Sequence, residues 1–458
     1  MSTPSRAVAG LALAVLTASV GTSAANIALP ALVTAFTTTP GHVQWLVVAY
    51  LVGMSTVSVA AGYAGDRWGR RPILLTGIAV FTVGAVVGAF SPSLTTLITA
   101  RAVQGVGAAV MTALPLALAK DLVPEGGTGR VIGLLGTTSA VGTALGPVLG
   151  GALIGWGGWA SPFWMMAVLG AAAFPLAGSV LPAQTPPRAR RRFDALGNLL
   201  LAAAIAVFAL ALTTPVSIGS TVALLVCAAA LLIAFVAAEK RADAAVLPPA
   251  MLRRRAIATG VIANVLVSTV MMTTLVVGPY ALHDGLQLAL PLVGLVMAVG
   301  PVISALSGIL AGSVVDRASS PRIVTVALVI VTTGAVALAV LPAWWGVAGY
   351  VGALLILTPG YQLFLAANNT HMLSAADTTQ RGTVSGALGL SRNVGLITGA
   401  SALGTIYAAL TAGTGTAAIS SLDGARTVFL IAALLAGIAT GVSALASHGL
   451  PRRAKRPS

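Results

Sequence analysis

The sequence predicts an all-α polytopic membrane protein of fourteen transmembrane helices. Three observations carry this. Hydrophobic residues make up 57% of the 458 and charged residues only 8%, whereas a soluble domain carries about 25% charged residues. The apolar residues fall in long blocks, and about 20 residues at 1.5 Å each cross the hydrocarbon layer. The basic residues sit in short loops between those blocks, the pattern that orients an inner-membrane protein. Helices are preferred because lipid offers the backbone no hydrogen-bond partner.

The first block, 7–30, follows Arg6. It could pass for a signal peptide, but about 24 residues is long for one. Thirteen more spans follow, so it is expected to stay as a helix. It ends Gly21-Thr-Ser-Ala-Ala-Asn26-Ile-Ala-Leu-Pro30. The second span, 43–64, runs into Gly62-Tyr-Ala-Gly65-Asp66-Arg67-Trp-Gly69-Arg70-Arg71-Pro72. Gly69 and Pro72 make a tight turn that carries an anion at a helix end, where arginines or a helix N-terminus can pair with it. The third span is 72–91. The fourth, 94–118, holds Arg101 and, three residues on, Gln104 on the same face. An arginine at membrane depth costs about 2.5–3.5 kcal/mol and is usually functional. Arg101 lies roughly 10 Å in from the outer end. The fifth span, 130–155, carries Gly142-Thr-Ala-Leu-Gly146-Pro147-Val-Leu-Gly150-Gly151. Small residues let helices approach closely, and Pro147 bends the helix. The sixth is 161–181.

A proline- and arginine-rich connector, 182–195, leads to spans 196–214 and 219–238, and a second connector, 239–255, follows. The two spans hold almost no polar residue beyond Asn198 and a few hydroxyls, which reads as a lipid-facing inserted pair. Spans nine to fourteen are 256–282, 288–313, 322–341, 345–369, 382–411 and 425–447. Span ten leads into a weaker copy of the Asp66 loop: Gly312, Asp316, Arg317 and Arg322. Span thirteen repeats span five. Gly133, Gly136, Gly142, Gly146 and Gly151 recur as Gly386, Gly389, Gly395, Gly399 and Gly404, each 253 residues on. The expected organisation is a six-helix bundle over 1–181, a connector with two inserted helices over 182–255, and a second bundle with a basic cytoplasmic tail over 256–458. Repeated bundles with a site between them are how many transporters are built.

Of 25 Arg and Lys, 22 fall in the N-terminus, the even-numbered loops and the tail, and one, Arg426, lies on the other side. Arg101 and Arg392 lie inside spans. Both termini are therefore expected in the cytoplasm, with Trp156, Trp159, Trp344 and Trp345 at the outer surface. The net charge of +15 is topogenic by its distribution, so nucleic acid is not an expected partner. Cys227 is the single cysteine, which excludes a disulfide framework and a cysteine metal site. His42, His283, His371 and His448 are scattered without metal-ligand spacing. No phosphate loop, nucleophile elbow or H-E-x-x-H is present, so no cofactor, metal or enzyme activity is expected. Abundant Ala and Gly, with 22 Arg against 3 Lys, suggest a GC-rich bacterial source and its cytoplasmic membrane.

The Asp66 loop, the Arg101 helix and the glycine-proline run resemble motifs of the major facilitator superfamily, and the resemblance covers nearly the whole chain. It implies the major facilitator fold and alternating access. It also implies a cytoplasmic lock from Gly62, Asp66, Arg67, Gly69 and Arg70, echoed at Asp316 and Arg317. The run Gly142, Gly146, Pro147, Gly150 and Gly151 is similar to a signature of the superfamily's exporters and would be a hinge and seal. The ending of span one is similar to that of the fourteen-helix drug:proton antiporter group, which has an acid where Gly21 stands. All ten acidic residues here fall in loops or at span ends. A proton-coupled cation exporter needs one at mid-membrane, so the cavity is expected to be neutral to positive and to suit neutral or anionic amphipathic compounds.

The wall is expected to come from spans one, two, four, five, nine, ten, twelve and thirteen. Its candidate substrate or coupling residues are Asn26, Tyr50, Met54, Arg101, Gln104, Asn264, Met271, Tyr280, Tyr361, Gln362, Asn368 and Arg392. Methionines and aromatics suit promiscuous apolar pockets. The expected function is efflux of small hydrophobic or amphipathic compounds such as antibiotics, coupled to protons, by a single copy in the bilayer. A metabolite importer or exporter of narrow specificity is the alternative on the same fold. A non-transporting membrane sensor or scaffold is the alternative of another class, with the missing acid at Gly21 as its one encouragement.

Overall fold

The computed structural model describes residues 3–122, 128–181, 194–213, 218–241, 251, 254–317, 320–376, 381–412 and 419–448. Most of both connectors, and the basic tail from 449 on, lie outside the described residues. The described residues are almost all helical and contain no strand. In chain order the helices are α1 (Thr3–Ile27), α2 (Leu29–Ala35), α3 (Pro40–Val43), α4 (Trp45–Trp68), α5 (Arg70–Ala89), α6 (Leu94–Leu122), α7 (Thr128–Gly157) and α8 (Ser161–Val180). Then come α9 (Ala195–Thr213), α10 (Ile218–Glu239), α11 (Arg255–Tyr280), α12 (Leu290–Arg317), α13 (Ser320–Ser374), α14 (Arg381–Thr398), α15 (Gly404–Thr411) and α16 (Ser421–His448).

Twelve helices among the described residues are long and apolar enough to cross a membrane, or thirteen if the bent pair Pro40–Ser58 and Ala60–Trp68 is one span. The chain is a multi-pass membrane protein. One predicted span is divided in the structure, and one predicted turn is displaced. Span 7–30 divides at Ala28, because Pro30 stands in the first turn of α2 and a proline cannot continue the helix before it. Spans 322–341 and 345–369 are the two halves of the 55-residue α13, which meet at a kink at Gly346, whose φ of 53° is non-helical, a little beyond the predicted 342–344 connection. A straight helix of that length would be about 80 Å long, against about 30 Å of hydrocarbon. It folds back instead: a Cβ at Gly334 would lie 2.5 Å from Leu357 Cα, so the two halves pack face to face.

Two packing groups result. In one, α1 lies on α7 and α8, while α6 takes α4 and α5. In the other, α11 lies on α14 and α16, and α13 on α12 and α16. Lipid supplies no hydrophobic drive between helices, so close approach depends on small residues. A Cβ at Gly107 would meet Phe81 N at 2.5 Å and one at Gly142 would meet Leu16 O at 2.7 Å. Between the groups, α7 packs on α12. The inserted pair divides its work. Helix α10 exposes Ile218, Val222, Val226 and Ile233, as a lipid-facing helix does. Helix α9 instead bridges, touching α4 on one side and α14 and α15 on the other.

Candidate functional site

The helices present two ends. One carries the Asp66 turn; at the other, Trp156, Trp344 and Trp345 stand exposed. The two ends differ in how the packing groups meet.

The tryptophan end is sealed by two matching contacts. On α7, a Cβ at Gly151 would meet Leu290 O at 2.7 Å and Gly294 Cα at 3.1 Å, both at the start of α12. Gly404, the repeat partner of Gly151, packs against the Gln44 side chain just before α4. Gln44 Nε2 donates to Thr405 Oγ1 at 2.7 Å, and Thr405 Oγ1 donates to the Leu212 carbonyl of α9 at 2.8 Å. The repeat thus places each seal glycine against the start of the second crossing helix of the opposite group. The hinge chemistry differs between the copies. Helix α7 has Pro147 within it, which removes one backbone donor. Its counterpart has a π-helical turn, Gly399–Leu403, between α14 and α15, another standard origin of a bend. Gly146 and Gly150 close α7 on α1, where added Cβ atoms would meet Ala24 N and Ala24 O at 3.0 Å each.

Toward the aspartate end, glycines of the same helices meet no neighbour. Cβ atoms added at Gly62, Gly136, Gly312, Gly386 and Gly389 would meet nothing within 4 Å. These include two repeat-related pairs, Gly62 with Gly312 and Gly136 with Gly389. At the turn itself, Gly69 has φ 94°, a conformation that favours glycine. Arg70 donates through Nε and Nη2 to Asp66 Oδ1 at 3.2 and 2.8 Å, and through Nη1 to the Ala117 carbonyl at 3.2 Å. Asp66 therefore ties α4 to α5, and Arg70 ties both to α6. Arg67 stacks over Trp68 at 5.7 Å. Asp316 and Arg317 end α12, and their side chains lie outside the described residues.

The expected cavity residues separate into buried and open ones. Arg101 and Gln104 are 1% and 0% exposed and lie inside the packing of α1, α4, α6 and α8. Arg101 donates to the carbonyls of Leu46 at 3.3 Å and Gly21 at 3.2 Å and to Gln104 Oε1 at 2.6 Å. Its guanidinium lies 4.1 Å from the Tyr50 ring centroid, a desolvated cation–π contact. Tyr50 is held in turn by Thr22, 3.1 Å away. Carbonyls and a ring thus do for Arg101 what no acid here can do. An acid at position 21 would also collide with Phe81, whose Cζ lies 2.6 Å from the Cβ position of Gly21.

Asn264 is likewise packed away. It joins α11 to α14 by donating to Leu388 O at 2.9 Å and Ser391 Oγ at 2.8 Å. Asn368 donates to Gly260 O at 3.2 Å. Tyr280 and Tyr361 are buried. Asn26 is 1% exposed, and neither its Nδ2 nor its Oδ1 has a hydrogen-bond partner among the described residues. Gln362 is half-buried and bonds Ser304 of α12. Met54 and Met271 are half-buried, and Arg392 is exposed. Among the described residues no cluster of His, Cys, Asp or Glu could hold a metal ion.

Sequence reasoning missed Gln44, Thr405 and the bridging position of α9. The glycine repeat pointed to Gly404, but only geometry shows what it meets. Trp159, expected at the outer surface, packs its ring on Phe36 at 5.1 Å.

A family model described as Major Facilitator Superfamily matches residues 11–400. An MFS-type transporter of Mycobacterium tuberculosis is 38% identical over 244 residues, 52% of this chain and 35% of that protein, so the match spans about a third of that relative's length. The riboflavin transporter RibZ of Clostridioides difficile is 27% identical over 387 residues, 84% of each chain. The multidrug resistance protein Stp of the same Mycobacterium species is 35% identical over 197 residues, 43% of this chain and 36% of that protein. Among solved structures, the nucleoside transporter NupG superposes with TM-score 0.70 at 11% identity, covering 97% of this chain and 100% of that one. A bacterial homologue of the lysosomal transporter Spinster superposes with TM-score 0.71 at 15% identity, covering 98% of both. These two show the fold.

Proposed function

From the premise that this chain belongs to the major facilitator superfamily, a family of transporters and not of enzymes, we propose that it exports small hydrophobic or amphipathic compounds by alternating access. The observation that carries this is the asymmetry of the two ends. Paired glycine contacts seal one end, and the same repeat leaves its glycines toward the other end without a neighbour (Gly136 and Gly389). A repeat-related pair of hinges that closes one end and frees the other is what a rocking transporter needs. With the folded-back α13 read as two passes and the bent pair as one, the helices make fourteen. The domains are then 1–181, 182–255 and 256–458. The aspartate end and both termini face the cytoplasm, in a bacterial inner membrane. Protons drive the cycle and one copy suffices.

Export is favoured by the glycine-proline seal and by Stp. The second reading, a narrow metabolite transporter, is favoured by RibZ, whose match is weaker in identity but covers twice as much of this chain. Drug susceptibility in a pump-deficient bacterial host separates them. Resistance to several unrelated amphipathic compounds that disappears in Asp66→Asn at matched expression supports efflux. No resistance across a broad panel, with uptake or release of a single metabolite class, supports the second reading.

A further inference from the structure

Arg392 has surroundings unlike those of the other arginine at membrane depth. It lies six residues inside the apolar span Gly386–Thr411, about 9 Å from that end of the span. It is exposed, and it makes no hydrogen bond or ion pair among the described residues. The exposed positions beside it on α14 are Gly386 and Gly389, where added Cβ atoms would meet only open space. Ile397 and Val384 are 0% exposed. A lipid-facing helix shows the reverse pattern, as α10 does. With Gly386, Gly389 and Arg392 outward and Val384 and Ile397 inward, this exposed face of α14 is not the apolar surface that a lipid-facing helix presents, and an intramembrane charge belongs on a cavity side.

No fixed negative charge answers it. The described acids Asp66, Asp194, Glu239, Asp284 and Asp423 all stand at or beyond helix ends, and the remaining five lie outside the predicted spans. Arg101 is fully buried and engaged by carbonyls and Tyr50. Arg392 is thus an exposed and unneutralised charge within this span. In a site of low dielectric an unpaired cation attracts an anion far more strongly than in water, and a guanidinium offers a planar pair of donors to an oxyanion.

We propose that Arg392 is the head-group site of the transport cleft and that it selects amphipathic organic anions, binding a carboxylate or sulfonate while the apolar body lies against the cleft wall. This rests on the efflux reading and deepens it. It also accounts for the absence of a mid-membrane acid, which a cation exporter would need and an anion exporter would not.

The test is equilibrium binding to the purified protein in lipid nanodiscs. Three matched probes serve: 2-naphthalenesulfonate, the uncharged 2-naphthalenesulfonamide and the cationic 2-naphthyltrimethylammonium. The wild type should bind the sulfonate roughly tenfold or more tighter than the sulfonamide, with the cation weakest. Arg392→Gln should erase that preference and leave sulfonamide binding within about twofold, while Arg392→Lys, which keeps the charge without the fork, should retain part of it. Because Arg392 is exposed and unbonded, these variants are expected to fold, and their sulfonamide binding verifies it. Equal affinities in the wild type, or a preference that survives Arg392→Gln, would overturn the anion site alone. Binding of none of the three probes would overturn it together with the efflux reading.

Discussion

Gln44 and Thr405 form a hydrogen bond, 2.7 Å long, directly across the seal at the tryptophan end. Thr405 passes the link on to the Leu212 carbonyl, so the inserted helix α9 shares in the same closure. Opening that end must break this bond. Thr405→Val keeps the shape and removes the hydroxyl. Each such bond is worth about 1 kcal/mol net, so the sealed state should lose roughly five- to thirtyfold in population. Spin labels paired across the tryptophan end should show a new, longer distance in Thr405→Val and not in Thr405→Ser. An unchanged distribution would remove this relay from gating.

Arg101 is expected to matter first for folding. Arg101→Ala leaves the Gly21 and Leu46 carbonyls without that donor and empties a space beside Tyr50. A buried acceptor left unsatisfied costs about 1–3 kcal/mol, and the emptied space adds to that. Arg101→Lys should recover little, because an ammonium cannot span the same three acceptors. Thermal unfolding of the purified variants should show the loss directly. A variant with wild-type stability and no transport would instead place Arg101 in the transport step.

Asp66 should behave in the opposite way. Its pair with Arg70 is half-exposed, and such pairs are worth about 0–1 kcal/mol. Asp66→Asn should therefore unfold within a few degrees of wild type while efflux falls by about tenfold or more, if the turn must re-form contacts when the aspartate end closes. Efflux at the wild-type level in Asp66→Asn, at matched expression, would confine Asp66 to a structural role.

The spans were legible because membrane insertion is written in local composition: block length, loop charge and proline position. The division of span 7–30 at Pro30 was itself legible from proline position. The turn between spans 322–341 and 345–369 fell at Gly346 and not within 342–344, a displacement of a few residues that composition alone does not fix. The site was less legible because tertiary packing governs it. Arg101 and Arg392 look alike in sequence, each an arginine within a span. Only the neighbours distinguish them, three acceptors and a ring for one and open space for the other. The Gly21 position could be read as a departure from a pattern, but not that Tyr50 would stand in as the partner of Arg101.

The repeat supplies a control for the seal itself. Gly151 and Gly136 lie on the same helix, yet an added methyl at Gly151 meets the Leu290 carbonyl at 2.7 Å and one at Gly136 meets nothing. Both gain similarly from replacing glycine by alanine in a helix, about 1 kcal/mol, so helix propensity cancels between them. At Gly151 the neighbour is backbone, which cannot turn aside, and α7 and α12 must separate. Gly136→Ala should leave transport within about twofold. Gly151→Ala should weaken the closed tryptophan end. The readout is labelling of Asn26→Cys from that side, in a Cys227→Ser background because Cys227 is exposed. Asn26 is 1% exposed while the seal holds, so its labelling rate should rise by about tenfold in Gly151→Ala and stay unchanged in Gly136→Ala. Equal labelling in both would mean that α7 and α12 yield elsewhere, and that Gly151 does not hold that end closed.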